Sequence, residues 1–567
     1  MIQSNWRKKM YHMEYFSTKR FLFLVSSNKC NEELAKIDKF ISILNKSGIG
    51  IIIENEKKKK GRYGYNPYNL VATIIYCFSQ FRSSLREIED LCKFDLRVIY
   101  LMHQEEPSHN AIKECINKYI LPYQYEIFTL ITKSIKNEFN LDISNQYLDG
   151  TKIEANANKY KFVWKPTTYH KKLDIKIKDL LFELDLYLPK KDLIKSYELN
   201  EILNKYVINN SIDICSIPRG KGKWLTKEQR IYKLLYEYLI KLLEYEEKER
   251  ICGNNRNSYY KTDKDATAMV LKKDYYSKLS HDFHAGYNVQ VLVSSGIITM
   301  YGVFQSRDDQ HTFISMNDLY FKYYNEYPKN ECADAGYGIY DNYKYVKKHN
   351  IGNYIKFQQW QGESSGKNPQ LFYTFNDGVL CLNTCIGEEI SFNSKFHQRY
   401  KNGKLYKFVG CNNCGYAYIC KKRLKNKDND YRFIELIPEY ELLKEQARNN
   451  LLSPEGIEIR INRSIQVEGT FGQLKQNMQY IRVRRRGLEK VSCEFMMMCL
   501  GINIRKYFTL LDKKEIKSKY WEKSNNLKAE KFPYVKQKQK KGTEWNLSYF
   551  ITAPWNLQFL ILLASFS

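Results

Sequence analysis

The sequence lacks any apolar run long enough to cross a membrane. Phe550–Ser567 is the most apolar stretch, but Pro554, Asn556 and Gln558 interrupt it. It therefore falls short of the roughly 20 residues that a membrane helix needs. The shorter run Phe21–Ser26 is not the apolar core of a secretory signal, because it does not directly follow the charged beginning of the chain. These absences predict a cytoplasmic protein with no membrane contact.

Histidine is also scarce, with 9 residues in a chain of 567. His281 and His284 flank Asp282, and this group is interpreted as a surface loop before a hairpin. The 14 cysteines occur without a secretory signal, so they are expected to be reduced. They are then buried thiols or metal ligands.

Acidic residues are too few to balance the basic ones. Lys and Arg number 91 against 63 Asp and Glu, which gives a net charge of +28. Such a charge favours polyanionic partners, of which nucleic acid is the commonest. An AT-biased genome, however, produces a Lys-, Asn-, Ile- and Tyr-rich chain without any selection for binding, so the charge alone leaves both interpretations open.

Apolar periodicity divides the chain into several regions. Spacings of three and four from Pro67 onward indicate amphipathic helices. Short β-rich runs and helices then alternate, which predicts a mixed α/β sheet flanked by helices. The predicted regions are an undefined segment 1–60, a helical domain 61–135, an α/β domain 140–512 with a helical insertion near 165–255 and a Cys-containing insertion near 360–435, and a Lys-rich tail 513–567 that is expected to be extended from Lys513.

Individual elements can be predicted inside the α/β domain. A strand Ile143–Leu148 is expected to end in a turn at Asp149-Gly150, with Thr151–Ala155 as a returning strand. The clearest signal is a hairpin over Gly286–Phe304, with its turn at Ser294-Ser295-Gly296. The next predicted elements are a helix near 311–325, a strand Asn330–Ala333, a helix Tyr340–His349, a strand Tyr354–Phe357 and, later, a helix Leu488–Leu511.

Three carboxylates in this domain suggest phosphodiester chemistry. Asp149 and Asp334 each follow a predicted strand, and Glu468 lies in a predicted helix. Cleaving or transferring a phosphodiester needs two divalent ions about 4 Å apart, held by hard oxygen ligands. Taken singly, an Asp at a strand end is more often a turn or cap residue. Asp263 and Asp265 are interpreted first as caps of a following helix, and Asp308 and Asp309 are weaker candidates.

Cations lie close to these acids in the sequence. Lys475 follows Glu468 by two helical turns, Arg463 precedes it, and Lys152 follows Asp149. An arginine cluster comes next in the chain, formed by Arg482, Arg484, Arg485 and Arg486. These side chains are predicted to bind DNA phosphates, and the alternative is a solvated basic face.

The cysteine spacing suggests a second metal site. Cys411 and Cys414 form a CxxC pair and Cys420 follows, with Cys381 or Cys385 as the fourth ligand. This pattern is compatible with Zn²⁺. Reduced structural thiols are the alternative.

Several ordered blocks resemble bacterial insertion-sequence transposases. The first-aspartate block is Asp149–Asn158, and the second is Ala333–Gly338. The glutamate block is Arg463–Gly469 with Phe471–Lys475. Further similar stretches are Lys261–Thr267, Gly286–Gln290 and Gly61–His109, the last of which resembles an InsH-like N-terminal domain.

The resemblance implies an RNase H-like fold and a DDE triad of Asp149, Asp334 and Glu468 that holds two Mg²⁺ or Mn²⁺ ions. It implies a nucleoid-associated enzyme that binds terminal inverted repeats and target DNA, with a homodimer in the active complex. The family signature Tyr-Arg-Glu-Lys has its arginine four residues before the glutamate, where this chain has Ser464, and Arg463 is one residue earlier.

Two other functions remain open at this point. One is a decayed or domesticated copy that binds DNA without cutting it. The other is a different RNase H-like nuclease that uses the same metal ions. An intact triad argues against decay, and the order of the blocks argues against another nuclease.

Overall fold

The structure of the protein is a computed structural model. It describes residues 28–56, 64–186, 192–218, 223–254, 256–271, 283–365, 373–376, 379–382, 386–392, 398–400, 402–415, 417–420 and 429–526. The chain divides into two compact units, Met1–Leu510 and Leu511–Ser567. The sheet and all the candidate catalytic residues belong to the first unit.

The α-helices of the described residues are numbered in chain order. They are α1 Asn28–Ser47, α2 Ile49–Asn55, α3 Pro67–Ser79, α4 Leu85–Phe94, α5 Leu96–Leu101, α6 His109–Cys115, α7 Gln124–Glu138, α8 Thr167–Glu183, α9 Ser196–Asn209, α10 Lys227–Cys252, α11 Phe313–Tyr324, α12 Tyr340–Lys348, α13 Trp360–Ser364, α14 Ala417–Cys420, α15 Pro438–Leu452, α16 Pro454–Arg463, α17 Gly469–Gly472 and α18 Leu488–Asn526. Shorter turns are the π-helical Ile116–Ile120, Ser464–Glu468 and Gln473–Asn477 and the 3₁₀ Ile214–Ser216, Asp309–His311 and Ala335–Tyr337.

The strands are numbered in the same way. They are β1 Asn145–Glu154, β2 Phe162–Trp164, β3 Ser258–Tyr260, β4 Thr267–Val270, β5 Phe283–Ser294, β6 Ile297–Phe304, β7 Asn330–Ala333, β8 Gly352–Asn353, β9 Tyr373–Asn376, β10 Val379–Leu382, β11 Ile386–Ile390, β12 Lys404–Val409 and β13 Tyr431–Leu436.

A mixed sheet of six strands forms the centre of the first unit. Its order is β4-β5-β1-β7-β8, and β6 also pairs with β5. β1 is antiparallel to β5 and parallel to β7, and β7 is parallel to β8. The predicted mixed α/β class is confirmed, and this strand order is consistent with an RNase H-like fold.

The predicted turn at Asp149-Gly150 is wrong, because β1 continues through it. Its residues pair with β5 without interruption from Tyr147 to Glu154. The glycine serves packing instead. A Cβ on Gly150 would lie 1.9 Å from Nε2 of Gln290, the residue opposite it on β5. The Asp-Gly pair suggests a turn locally, but in the fold the glycine leaves room for the side chain that crosses it from β5.

Helices cover both faces of the sheet. On one face α11 packs closely, since a Cβ on Gly302 would lie 2.6 Å from Sδ of Met316. On the other face Tyr301 meets α7 and α18, with ring-centroid distances of 5.0 Å to Phe128 and 6.2 Å to Phe495. Because side chains alternate along a strand, this second face is also the face of Asp149.

Most elements predicted in the sheet region agree with the structure. The hairpin over Gly286–Phe304 is confirmed as β5 and β6, and the strand Asn330–Ala333 is confirmed as β7. The expected strand Tyr354–Phe357 is wrong in its bounds, because β8 lies earlier in the chain. The amides of Tyr354 and Lys356 nevertheless donate to the carbonyls of Glu331 and Ala333.

Both ends of the chain contain more helix than the sequence predicts. α1 and α2 lie in the segment that was left undefined, and α18 continues to Asn526 rather than ending at Leu511. The expectation of an extended chain from Lys513 is therefore wrong up to Asn526. The remainder of that tail lies outside the described residues.

The segment near 165–255 contains α8, α9 and α10. These helices share an apolar cluster of their own, to which α8 contributes Ile177 and Leu181, α9 contributes Leu199, and α10 contributes Leu235 and Leu242. The segment near 360–435 contains the β9–β10 hairpin and a small sheet in the order β11-β12-β13. In the described part of the chain, no helix combines the length and apolarity that crossing a membrane requires.

Candidate active site

Asp149 and Asp334 lie side by side in the sheet. β1 pairs with β7 up to Leu148 and Ala333, and each aspartate is the next residue of its chain. Parallel pairing turns partner residues to the same face, so the two carboxylates lie on adjacent strands at one end of the ladder. Sequence reasoning placed Asp149 at the end of a strand, whereas the structure places it in the middle of β1.

The guanidinium of Arg463 lies between the two carboxylates. Its Nη1 donates to Oδ2 of Asp149 over 3.1 Å, and its Nη2 is 3.7 Å from Oδ1 of Asp334. The arginine side chain is only 8% exposed, against 26% for Asp149 and 54% for Asp334. The end of α16 therefore supplies a buried positive charge to the acid pair.

Burial controls the protonation of Asp149. Desolvation raises the pKa of this carboxyl above its ordinary value, and the Arg463 charge and the Gly150 amide oppose that rise. The negative charges of Asp334 and Asp309 raise the pKa further. Partial burial therefore makes the ionised form of Asp149 costly, and the Arg463 charge offsets part of that cost.

Glu468 is not grouped with the two aspartates. It ends the π-helical turn Ser464–Glu468 and is exposed, whereas Arg463 and Val467 of the same helical run are buried against the sheet. Among the residues that the structure describes, no three His, Cys, Asp or Glu side chains form a group that could hold a metal ion. The predicted convergence of all three acids is therefore not assembled here.

Lys475 lies beside the aspartate pair. Its Nζ donates to Oγ1 of Thr151 over 2.5 Å. Thr151 is two residues beyond Asp149 on β1, so both side chains lie on one face of the sheet. Two of the predicted phosphate-binding cations, Lys475 and Arg463, therefore lie along β1 on the face of the first aspartate.

In the fold, the arginine cluster lies beside the last residue of β1. Residues 481–483 exchange backbone hydrogen bonds with Glu154, and Nε of Arg482 is 3.8 Å from Oε1 of Glu154. The amides of Arg484 and Arg485 donate to the carboxylate of Glu494, and Nε of Arg486 donates to the carbonyl of Asn156. Arg482, Arg484 and Arg486 are exposed and Arg485 is half-buried, so the cluster presents positive charge to solvent.

Lys152 is separated from the other candidates. It alternates with Thr151 along β1, so its side chain belongs to the face opposite Asp149. The structure therefore does not bring Lys152 together with Lys475 and Arg463.

A polar network behind the acid pair was missed by sequence reasoning. Nε2 of Gln290 donates to Asp309 and to Asn288, and the hydroxyl of Tyr337 donates to Gln290 over 2.5 Å. Asn288 and Gln290 alternate with apolar residues in β5, but this pattern does not reveal their partners. The network connects the loop after β6, the strand β5 and the turn after β7.

Asp263 and Asp265 cap a helix, as predicted, but this helix does not follow them directly in the sequence. A strand, β4, comes after them. Asp263 accepts hydrogen bonds from the amide of Gly487 and the hydroxyl of Tyr287, and Asp265 accepts one from the amide of Leu488. They therefore cap the beginning of α18, more than two hundred residues away in the sequence.

The cysteine candidates are only partly described. Cys411, Cys414 and Cys420 are half-buried, and burial together with the two neighbouring thiols raises the pKa of Cys420. Cys385 and the side chain of Cys381 lie outside the described residues, as do His281 and Asp282. The zinc hypothesis remains a prediction.

The acid pair fits a divalent cation in its chemistry. Asp149 and Asp334 offer hard carboxylate oxygens, which Mg²⁺ and Mn²⁺ prefer. The Arg463 guanidinium stands in for such a cation, because it supplies the positive charge between the two carboxylates. A third protein ligand is not assembled beside them in the described part of the chain.

Comparison with known proteins identifies one domain. A family model described as a transposase DDE domain matches residues 385–508. This segment contains Glu468, Lys475, the arginine cluster and the three described cysteines, but neither Asp149 nor Asp334. Neither a curated protein nor a solved structure matches the chain. The match supports a DDE transposase and, with it, DNA as a partner.

Proposed function

We propose that this protein is a transposase that binds the terminal inverted repeats of an insertion sequence, cuts there and joins the freed ends to target DNA. The observation that carries the proposal is the placement of Asp149 and Asp334 on adjacent strands around one buried cation. The family match at residues 385–508 supports the same function independently, because it includes neither aspartate.

The proposed catalytic residues are Asp149, Asp334 and Glu468. The two aspartates would hold the divalent ions, Mg²⁺ or Mn²⁺, and Glu468 would complete the ligand set. When bound, these ions would neutralise charge on the phosphodiester and lower the pKa of an attacking water. Because no three acids form a group in the described part of the chain, Glu468 would have to move toward the aspartates to share their ions.

The cations of the chain would hold the substrate. Lys475 lies on the Asp149 face, where it would contact the phosphates that flank the scissile bond. Arg463 is buried between the aspartates, so a phosphate contact from it would require the guanidinium to leave them. Arg482, Arg484, Arg485 and Arg486 would extend this contact along the DNA backbone. Phosphate contacts of this kind give affinity that falls with salt and fix the register of the DNA. Joining two element ends would engage a homodimer.

The test is cleavage of a DNA duplex that carries the inverted repeat found beside the gene, in buffer with Mg²⁺. We expect Asp149→Asn and Asp334→Asn to abolish cleavage while binding to the same duplex is retained, because the amide cannot neutralise a divalent ion. Asp341→Asn is the matched control, since Asp341 is exposed in α12, just beyond the site, and its variant should cleave normally.

Each outcome decides between the candidate functions. Full cleavage by either aspartate variant in Mg²⁺ would refute the assignment of the site. Specific binding without cleavage by the unaltered protein would instead identify a catalytically inactive, DNA-binding descendant of a transposase.

A further inference from the structure

Large aromatic side chains are exposed on the short ribbon that β2 forms with β3. Phe162 and Trp164 are 45% and 49% exposed, and Tyr160, just before β2, is 80% exposed. The rings of Phe162 and Trp164 meet edge to face, with their centroids 5.6 Å apart. Single exposed rings are ordinary on a protein surface, but a contiguous patch marks an interaction site. Tyr160, Phe162 and Trp164 are here called the aromatic group.

Lysines alternate with these rings in the sequence. The two segments of the ribbon, 159–165 and 258–261, contain no acidic residue, and their basic residues are Lys159, Lys161, Lys165 and Lys261. Lys161 and Lys261 lie opposite each other, since the amide of Lys261 donates to the carbonyl of Lys161 over 2.9 Å. Like charges placed opposite each other destabilise paired strands. The ribbon is therefore suited to an anionic partner that neutralises both.

The acids that share a cavity with Phe162 already have cationic partners. This cavity, of about 430 Å³, is lined by Phe162 together with Glu244 and Glu247 of α10. The two glutamates pair with Lys248 and Arg250 over 2.5 and 2.7 Å. The lysines of the ribbon therefore determine the sign of the charge around the rings.

Arg307 connects the aromatic group to the candidate active site. Its guanidinium carbon lies 5.9 Å from the centroid of the Trp164 ring. Burial raises the pKa of Asp149, and the charge of Asp309, two residues after Arg307, adds to this rise. The exposed acid Asp308 lies between them, so the positive charge of the region comes from the ribbon and not from this loop. The loop thus reaches Trp164 with one side chain and the acid pair with another.

We infer that the aromatic group and its lysines bind single-stranded DNA, with unpaired bases stacked on the rings and phosphates against the lysines. Proteins that hold single strands combine aromatic side chains with a positive surface, because every base has a face that can stack. A base inside a duplex is already stacked on both sides. The aromatic group therefore distinguishes unpaired from paired DNA.

Packing within the ribbon explains only part of these rings. Phe162 lies opposite Tyr260 of β3, and their centroids are 6.4 Å apart. Tyr260 is 1% exposed, as expected of a ring that stabilises the ribbon from inside. Phe162 and Trp164 keep almost half of their surface in solvent, and Tyr160 keeps most of it. That outer surface is the part that stacking on a base would cover.

The inference rests on the proposed function only for the source of the unpaired bases, which cutting at an element end would supply. The test is the affinity of the full chain for two labelled probes in EDTA, measured by fluorescence anisotropy. One probe is a blunt duplex, and the other is the same duplex with a short oligothymidine extension. We expect the extended probe to bind at least about 5-fold more tightly, which is the gain from stacking one base on one ring.

Four variants assign this preference to the aromatic group. Trp164→Ala should remove most of it and leave the affinity for the blunt duplex unchanged, whereas Trp164→Phe keeps a ring and should retain it. Tyr160→Ala should also reduce the preference, and this side chain is too exposed for its loss to unfold the protein. Trp224→Ala is the matched control, because Trp224 is 78% exposed elsewhere in the segment near 165–255.

The salt dependence separates the rings from the lysines. Lys161→Gln should lower the slope of log affinity against log salt concentration by about 0.7, the value for one phosphate contact with a single strand. Trp164→Ala should lower the affinity for the extended probe without changing that slope, because stacking releases no counter-ions.

Three results would overturn the inference. The first is equal affinity of the unaltered protein for the two probes. The second is a preference that survives both Trp164→Ala and Tyr160→Ala. The third is a loss of affinity for both probes by the same factor in these variants, which would identify a general contact with duplex DNA. Because these measurements contain no metal ion and record no cleavage, such a failure leaves the proposed chemistry standing.

Discussion

The aspartate pair and Glu468 are positioned by two different kinds of structure. Asp149 lies in β1 and Asp334 directly follows β7, and the hydrogen bonds between these two strands hold the residues near each other before any metal arrives. Glu468 ends a π-helical turn and is exposed, although Arg463, five residues earlier, is buried between the aspartates. The ladder of β1 and β7 thus preorganises two of the proposed ligands, whereas the position of Glu468 depends on the conformation of one helical segment.

The strongest test of this contrast is Glu468→Gln. If the glutamate joins the aspartates during catalysis, this variant should lose cleavage as fully as Asp149→Asn, because the third metal ligand is removed. The measurement is Mg²⁺-dependent cleavage of the inverted-repeat duplex. Glu489→Gln, an exposed acid in the first turn of α18, is the control. Normal cleavage by Glu468→Gln would limit the site to the strand-borne acids.

A second test uses the other acid of β7, Glu331. This carboxyl is buried, accepts a hydrogen bond from Asn317, and its Oε2 has no hydrogen-bond partner among the described residues. Burial raises its pKa from 4.5 to about 8, so the folded protein keeps a proton that the unfolded chain releases. The contribution of Glu331 to the free energy of unfolding is therefore fully present below pH 4.5 and should be lost as the pH rises from 4.5 to about 8.

The size of this effect is large for a single residue. At about 1.4 kcal/mol per pKa unit, the difference corresponds to a loss of about 5 kcal/mol by pH 9. Glu331→Gln cannot ionise, so its free energy of unfolding in urea should change much less between pH 5 and pH 9. If this variant kept the pH dependence of the unaltered protein, ionisation of the buried Glu331 would not be its cause.

Arg463→Met removes the cation from the acid pair. The uncompensated carboxylates should destabilise the metal-free protein by about 3 kcal/mol, at the low end for a buried pair because Asp149 is partly exposed. Mg²⁺ should recover part of the loss, since a divalent ion can supply the missing charge. The check is thermal unfolding in EDTA and in Mg²⁺. Equal stability of variant and unaltered protein in EDTA would contradict the structural role of Arg463.

The smallest expected effect concerns Gly150. A methyl group there would meet the buried side chain of Gln290, and overpacking of this kind costs about 1–3 kcal/mol. Gly150→Ala should therefore lower the free energy of unfolding, as measured in urea. Gly469→Ala is the matched control, because a Cβ on Gly469 meets no atom within 4 Å. A silent Gly150→Ala would mean that the Gln290 side chain can move aside at little cost.

The sequence predicts the elements with local signals and misses those set by distant partners. The hairpin of β5 and β6 follows from two β-rich runs on either side of Ser295-Gly296. In the turn, both Ser295 and Gly296 adopt positive φ. Asp149-Gly150 gives the same local signal, yet pairing with β5, far away in the sequence, continues through it. The caps of α18 by Asp263 and Asp265 are equally non-local.

The candidate site divides along the same line. The structure places the two aspartates close together, although Asp149 lies within β1 and not at the strand end that the sequence predicts. The exposure of Glu468 could not be predicted, because the π-helical turns Ser464–Glu468 and Gln473–Asn477 shift which side chains of this helical run meet the sheet. The place of Arg463 between the aspartates could not be predicted either, since it depends on how α16 packs on the sheet.

The guanidinium between Asp149 and Asp334 has a consequence for how the protein meets its environment. Many small metalloproteins remain unfolded until the ion arrives, because the free energy of metal binding is what stabilises their fold. Here the guanidinium already offsets one of the two negative charges, so the pair depends less on a metal ion for the chain to reach its native fold. The supply of divalent ions would then control when the protein is active, and not whether it folds.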